Sequence, residues 1–102
     1  MTQSKWVRVG SVRRFDDPLQ GEYAYFDFKR REIEVFYAWD AWTLNQTEEK
    51  RERLLDECAD VIQATLNLVA ALGVEDFRPY MKACERRNRE RGRITDGKAV
   101  DE

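Results

Sequence analysis

Residues 54–72 read LLDECADVIQATLNLVAAL and stop at Gly73, and the reading of this stretch decides the fold. After Cys58 its only ionisable side chain is Asp60. At about 100° per residue, Leu54, Cys58, Val61, Ile62, Thr65, Val69 and Leu72 form one broad stripe. Ala59, Ala64, Ala70 and Ala71 cover much of the remaining circumference. A helix that is apolar nearly all round is buried on several sides. Asp60, Gln63 and Asn67 interrupt it too often for a membrane span. The stretch therefore predicts the central helix of a bundle, packed in part against a second subunit.

Glu57 and Asp60 stand three residues apart, so their carboxylates leave the same side of that helix. Like charges at this spacing repel, and Asp60 is expected to be buried. Burying an unpaired carboxylate raises its pKa or costs several kcal/mol. Three things offset that cost: a cationic side chain, a shared proton, or a divalent ion. Hard oxygen pairs suit Mg²⁺ or Mn²⁺. A Lys or Arg in the same place would make Glu57 one half of an ordinary helix-edge ion pair.

A chain of 102 residues predicts one small domain. With 18 basic and 20 acidic residues the net charge is −2, and bulk electrostatics predicts no nucleic-acid partner. The absence of His excludes His-based zinc sites and His-dependent triads. Cys58 and Cys84 fall on apolar helical faces and read as reduced core residues. No signal peptide and no apolar run long enough for an anchor is present, so a cytoplasmic protein without a membrane partner is expected.

Residues 1–21 read as an arm, either a short strand or irregular, whose mix of Trp6 with Arg8, Arg13 and Arg14 suits either contact with a phosphate or, the favoured reading, a solvated arm that packs Trp6. Asp16-Asp17-Pro18 breaks it. The helical domain is expected over 22–92, with a mobile polar tail over 93–102. In its first helix, Glu22 to Leu44, the residues Tyr25, Phe28, Val35, Trp39 and Trp42 recur at helical spacing on one face. Asp27, Arg31 and Glu34 fall on another side, as an intrahelical ion-pair ladder. Trp39, in the aromatic cluster with Tyr37 and Trp42, is a candidate for stacking on a base. Thr47 suits the N-cap of the central helix, with Glu48 and Glu49 complementing its dipole. Gly73 supplies its stop, Asp76 caps a last helix from Phe77 to Arg91, Pro79 fits its first turn, and Gly92 ends it. On that helix Asn88 continues the apolar face of Phe77, Met81 and Cys84, with Arg87 and Arg91 nearby.

These residues carry a resemblance. Leu55-Asp56-Glu57-Cys58-Ala59-Asp60-Val61-Ile62, then Asn67-Leu68, Ala71-Leu72-Gly73-Val74 and Arg87-Asn88-Arg89-Glu90-Arg91-Gly92 resemble the MazG-like all-alpha nucleotide pyrophosphohydrolases, in their short bacterial and phage form. The likeness spans about residues 33–93. It implies an all-α fold, a small helical bundle forming a homodimer or homotetramer. It also implies Mg²⁺-dependent hydrolysis of a nucleoside triphosphate, ribo- or deoxyribo-, to the monophosphate and pyrophosphate. The family's E-x-x-D motif falls on Glu57 and Asp60, which the resemblance makes catalytic carboxylates and metal ligands. Glu34-Val35-Phe36-Tyr37-Ala38-Trp39 resembles the family's E-V-x-x-A-W and makes Glu34 a third ligand. Asn88, Arg91 and Trp39 are then substrate-binding residues.

One departure stands out. The Glu positions that should precede Glu34 fall on Arg30 and Arg31, so a permanent cation replaces a ligand. Glu48-Glu49-Lys50-Arg51-Glu52 also spells E-E-x-x-E, but it sits on the helix of Glu57 and is a decoy. Arg31 is free to pair with Glu34 or Asp60 instead, leaving a basic spot for a phosphate. Two function classes follow: an active pyrophosphohydrolase, and a weakened relative that binds a nucleotide or a protein partner without turnover.

Overall fold

The structure, a computed structural model, describes residues 4–16 and 20–95. Three α-helices, α1 (Gly21–Leu44), α2 (Glu48–Ala71) and α3 (Arg78–Glu90), account for the regular structure, with no strand among the described residues. The all-α expectation and all three helices hold. The chain divides into two compact units, Val12–Glu75 and the pair of segments Met1–Ser11 with Asp76–Glu102.

In the first unit α1 and α2 form a helical hairpin. Only Asn45, Gln46 and Thr47 join them, a link short enough to force antiparallel neighbours. The Thr47 hydroxyl accepts the Lys50 backbone N–H at 3.2 Å, so the expected N-cap is in place. At the far end Gly73 takes φ +83°, the left-handed conformation that only glycine adopts without cost. This lets the Gly73 N–H donate to the Ala70 carbonyl at 2.9 Å and the Val74 N–H to the Val69 carbonyl at 3.3 Å.

The seam between the helices is thin. Among the described residues, Ala24 and Ala38 on α1, with Ala64 and Asn67 on α2, are the buried ones, and no large side chain there is fully buried. Leu54, Glu57, Val61, Ala64 and Leu68 follow one another at three- and four-residue spacing along the packed side of α2. Ile62, Leu55 and Leu72 are exposed, so the chain alone does not cover the whole apolar circumference of α2. Two expectations change here. Cys58 is exposed rather than core, and the Asp60 side chain is 51% exposed rather than buried. Both lie just off the seam that Glu57 and Val61 occupy.

The packed side of α1 also differs from the expected one. Tyr25 and Trp39 are exposed, while Asp27, Phe28, Arg31, Glu34, Val35 and Trp42 are half-buried together. The charged trio thus shares the face of Phe28 and Val35 instead of lying on another side. Half of the expected ladder forms: Asp27 receives Arg30 at 2.9 Å and Arg31 at 3.7 Å.

Residues 12–15 belong to the same unit and are tied to α2. The Phe15 N–H donates to Asn67 Oδ1 at 3.1 Å, and Gln63 Nε2 donates to the Arg13 carbonyl at 2.8 Å. Asp17 and Pro18, on which the expected break partly falls, lie outside the described residues.

In the second unit, residues 4–11 are irregular rather than a strand, and Trp6 is 77% exposed rather than packed. Ser4 is joined to Thr95 by two hydrogen bonds, its N–H to the Thr95 carbonyl at 2.9 Å and the Thr95 N–H to its hydroxyl at 2.8 Å. The beginning of the expected tail is therefore fastened; the remainder, 96–102, lies outside the described residues. Asp76 receives the Arg78 backbone N–H at 3.1 Å and its guanidinium at 2.9 and 3.0 Å. Those bonds hold the Asp76 carboxyl down at about 2. Pro79 sits in the first turn of α3, where its missing N–H leaves no helical bond unmade. Gly92, at φ +76°, closes α3 as Gly73 closes α2, with the Arg93 N–H donating to the Asn88 carbonyl at 2.8 Å.

Candidate functional site

Glu57 stands on the packed seam of α2, and its Oε2 is buried without a hydrogen-bond partner. A buried carboxylate oxygen with no donor in reach among the described residues is the condition that draws in a cation. One turn on, Asp60 points its Oδ2 at Arg31 Nη1 across the hairpin, 3.8 Å away. Arg31 also lies 3.7 Å from Asp27, so its guanidinium is shared between carboxylates of both helices. Of the pairings open to Arg31, the one with Asp60 forms. Asp27, read from sequence only as part of a ladder, is therefore part of this charge cluster.

Glu34 lies half-buried on the packed side of α1. It is not drawn together with Glu57 and Asp60 into a cage: among the described residues no group of three or more Cys, Asp or Glu side chains is disposed to hold a metal ion. The three expected ligands are thus an orphaned seam carboxylate, a carboxylate engaged by Arg31, and a half-buried carboxylate on the facing helix, without forming a three-ligand group.

Trp39 is about half exposed on α1, its ring 5.3 Å from that of Trp42 and tilted by 44°. Asn88 and Arg91 belong to the other unit. The Asn88 amide donates to the Cys84 carbonyl at 3.0 Å and approaches the Cys84 sulfur at 3.5 Å, so the side chain folds back along α3. Arg91 is exposed at the C-cap of α3.

Sequence reasoning missed the pairing of Gln63 with Asn67, which it read as interruptions of an apolar run, Asn67 also falling in the stretch that carries the resemblance. Gln63 Nε2 donates to Asn67 Oδ1 at 3.1 Å as well as to the Arg13 carbonyl, and Asn67 is 4% exposed with its Nδ2 unpartnered. Two amides four residues apart in an otherwise apolar helix were the available signal. Among the described residues no helix is long and apolar enough to cross a membrane. No known protein family, curated protein or solved structure matches this chain.

Proposed function

We propose that the chain is a MazG-like, Mg²⁺-dependent nucleoside triphosphate pyrophosphohydrolase working as a homodimer or homotetramer of helical hairpins. The observation that carries this reading is the orphaned Oε2 of Glu57 on the packed seam of α2. Mg²⁺ is commonly held by one or two carboxylates together with substrate phosphates and water. Glu57 and Asp60 fit that donor set, and Glu34 does not join them in the isolated chain. The ion, when bound, neutralises charge on the phosphoryl oxygens. Arg31 pairs with Asp60 in the free protein, and a guanidinium released from that pair would bind a phosphate. The oligomer is supported by apolar surface left uncovered on both helices, at Ile33, Phe36, Leu55 and Ile62 among others.

The Arg31–Asp60 pair also supports a second reading, a weakened relative that binds a nucleotide without hydrolysing it, because a fixed cation competes with metal for Asp60. Pyrophosphate release from a panel of nucleoside triphosphates with Mg²⁺ or Mn²⁺ separates the two. The enzyme reading expects release that Glu57→Gln abolishes. Nucleotide binding without release favours the second reading, and neither binding nor release rejects both.

A further inference from the structure

The net charge of −2 is unevenly divided. The unit of Met1–Ser11 with Asp76–Glu102 carries ten Lys and Arg against six Asp and Glu, a net of +4; Val12–Glu75 carries eight against fourteen, a net of −6. Whole-chain charge therefore conceals a basic unit. Within it the cations are ordered. Arg78, Lys82, Arg86 and Arg89, all exposed, fall within an arc of about 80° along α3, successive members about 5–6 Å apart along the axis. Phe77, Met81, Cys84 and Asn88 occupy a different face. Arg78 is engaged by Asp76 and Arg89 by Glu85 at 3.5 Å, while Lys82 and Arg86 pair with no described residue.

An aromatic group stands at the end of this stripe. Ser4 is pinned to Thr95, which brings the arm against α3 to form a cleft of about 170 Å³ lined by Ser4, Lys5, Trp6, Glu85 and Arg89 among others. Trp6 borders it with 77% of its surface exposed. An indole held in the open beside Lys5 and Arg89, continuous with a line of cations, combines a stacking platform with an electrostatic track. That is the chemistry of single-stranded nucleic-acid binding.

We infer that the basic unit binds single-stranded nucleic acid along the Arg78–Lys82–Arg86–Arg89 stripe, with Trp6 stacking on a base. The acidic unit of a second copy is a poorer occupant. An acidic protein surface makes no use of an open indole beside the cations. The inference does not rest on the triphosphate reading, whose carboxylates lie in the other unit and whose expected residues in this one, Asn88 and Arg91, fall outside the stripe.

The test is fluorescence anisotropy of the full chain with a labelled oligodeoxythymidine of about 20 nucleotides, longer than the roughly 4–16 that such surfaces cover. Neutralising four phosphates predicts a loss of about 50-fold in affinity between 50 and 200 mM salt. Lys82→Glu combined with Arg86→Glu, both exposed and outside any described ion pair, should weaken binding at least about tenfold. Trp6→Ala should weaken it about fivefold or more while leaving the salt slope unchanged. If the charge reversal disturbs helicity, Lys82→Gln with Arg86→Gln should lower the salt slope by about 1.4. No binding at 50 mM salt, equal affinity for a duplex of the same length, displacement by polyglutamate at equal charge, or indifference to Trp6→Ala each overturns the inference.

Discussion

Arg31 and Asp60 meet across the α1–α2 hairpin, Nη1 to Oδ2 at 3.8 Å, with 35% and 51% of their side chains exposed. A pair so open to water contributes about 1 kcal/mol or less, because solvent screens the attraction and two long side chains must be held still. Its interest is chemical. It is a small barrier in front of the carboxylate expected to receive a metal.

Asp60→Asn should therefore abolish pyrophosphate release while changing stability by no more than about 1 kcal/mol. Chemical denaturation with and without Mg²⁺ measures the second quantity. Full activity in this variant would remove Asp60 from the mechanism.

Arg31→Glu places a third carboxylate near Asp27 and Asp60. Without metal the fold should lose about 1 kcal/mol from repulsion at a partly exposed site. With Mg²⁺ the melting temperature should recover, and turnover should rise if Arg31 was suppressing the site. A melting temperature insensitive to Mg²⁺ would count against a cation site beside Glu57.

Asn67→Ala removes the acceptor for the Phe15 N–H and for Gln63, at a residue only 4% exposed. A part-buried donor left unmade, together with the lost side chain, should cost about 1–3 kcal/mol. Hydrogen exchange at the Phe15 amide should accelerate before that of α1 or α2, which reports release of the segment rather than general unfolding.

Self-association is measurable by sedimentation. The chain should sediment as a dimer or tetramer at micromolar concentration, with Ile62, Leu66 and Val69 at or near the interface and Val61, expected there from sequence, taken up by the α1–α2 seam. Ile62→Asp, at an exposed apolar position, should yield monomer with its helices retained. A monomeric parent at that concentration would exclude the oligomer.

The pH dependence of α3 follows from Asp76. Its carboxyl is depressed from 3.8 to about 2, mainly by the Arg78 side-chain bond. A depressed folded-state value means that the stabilisation is fully present above 3.8 and is lost as pH falls through about 2. NMR titration of the Asp76 carboxyl carbon should show the low midpoint, and Arg78→Ala should move it upward.

Apart from the N-cap of α3, which is Phe77 rather than the expected Asp76, the helix ends were legible because their chemistry is local. Thr47 binds an amide three residues on, and Gly73 and Gly92 close their helices with carbonyls within one turn. The burial of Asp60 and Cys58 was misjudged for a different reason. Periodicity tells which residues share a face, but not how much of the circumference a neighbour covers, and α1 alone covers little more than one seam of α2. The same gap put Asp27, Arg31 and Glu34 on the wrong side of α1. The attachment of Gln63 and Asn67 was invisible because its partners are main-chain atoms about 50 residues away, and main-chain atoms leave no mark in a sequence.

That attachment imposes an order on biosynthesis. Phe15 and Asn67 are 52 residues apart, so at about 5–20 residues per second the segment around Phe15 is made roughly 3–10 s before its acceptor exists. It emerges with nothing to hold it, while α1 is still being made. Only when α2 has been synthesised past Asn67 can the first residues of the unit be fastened, so what is translated first is secured last.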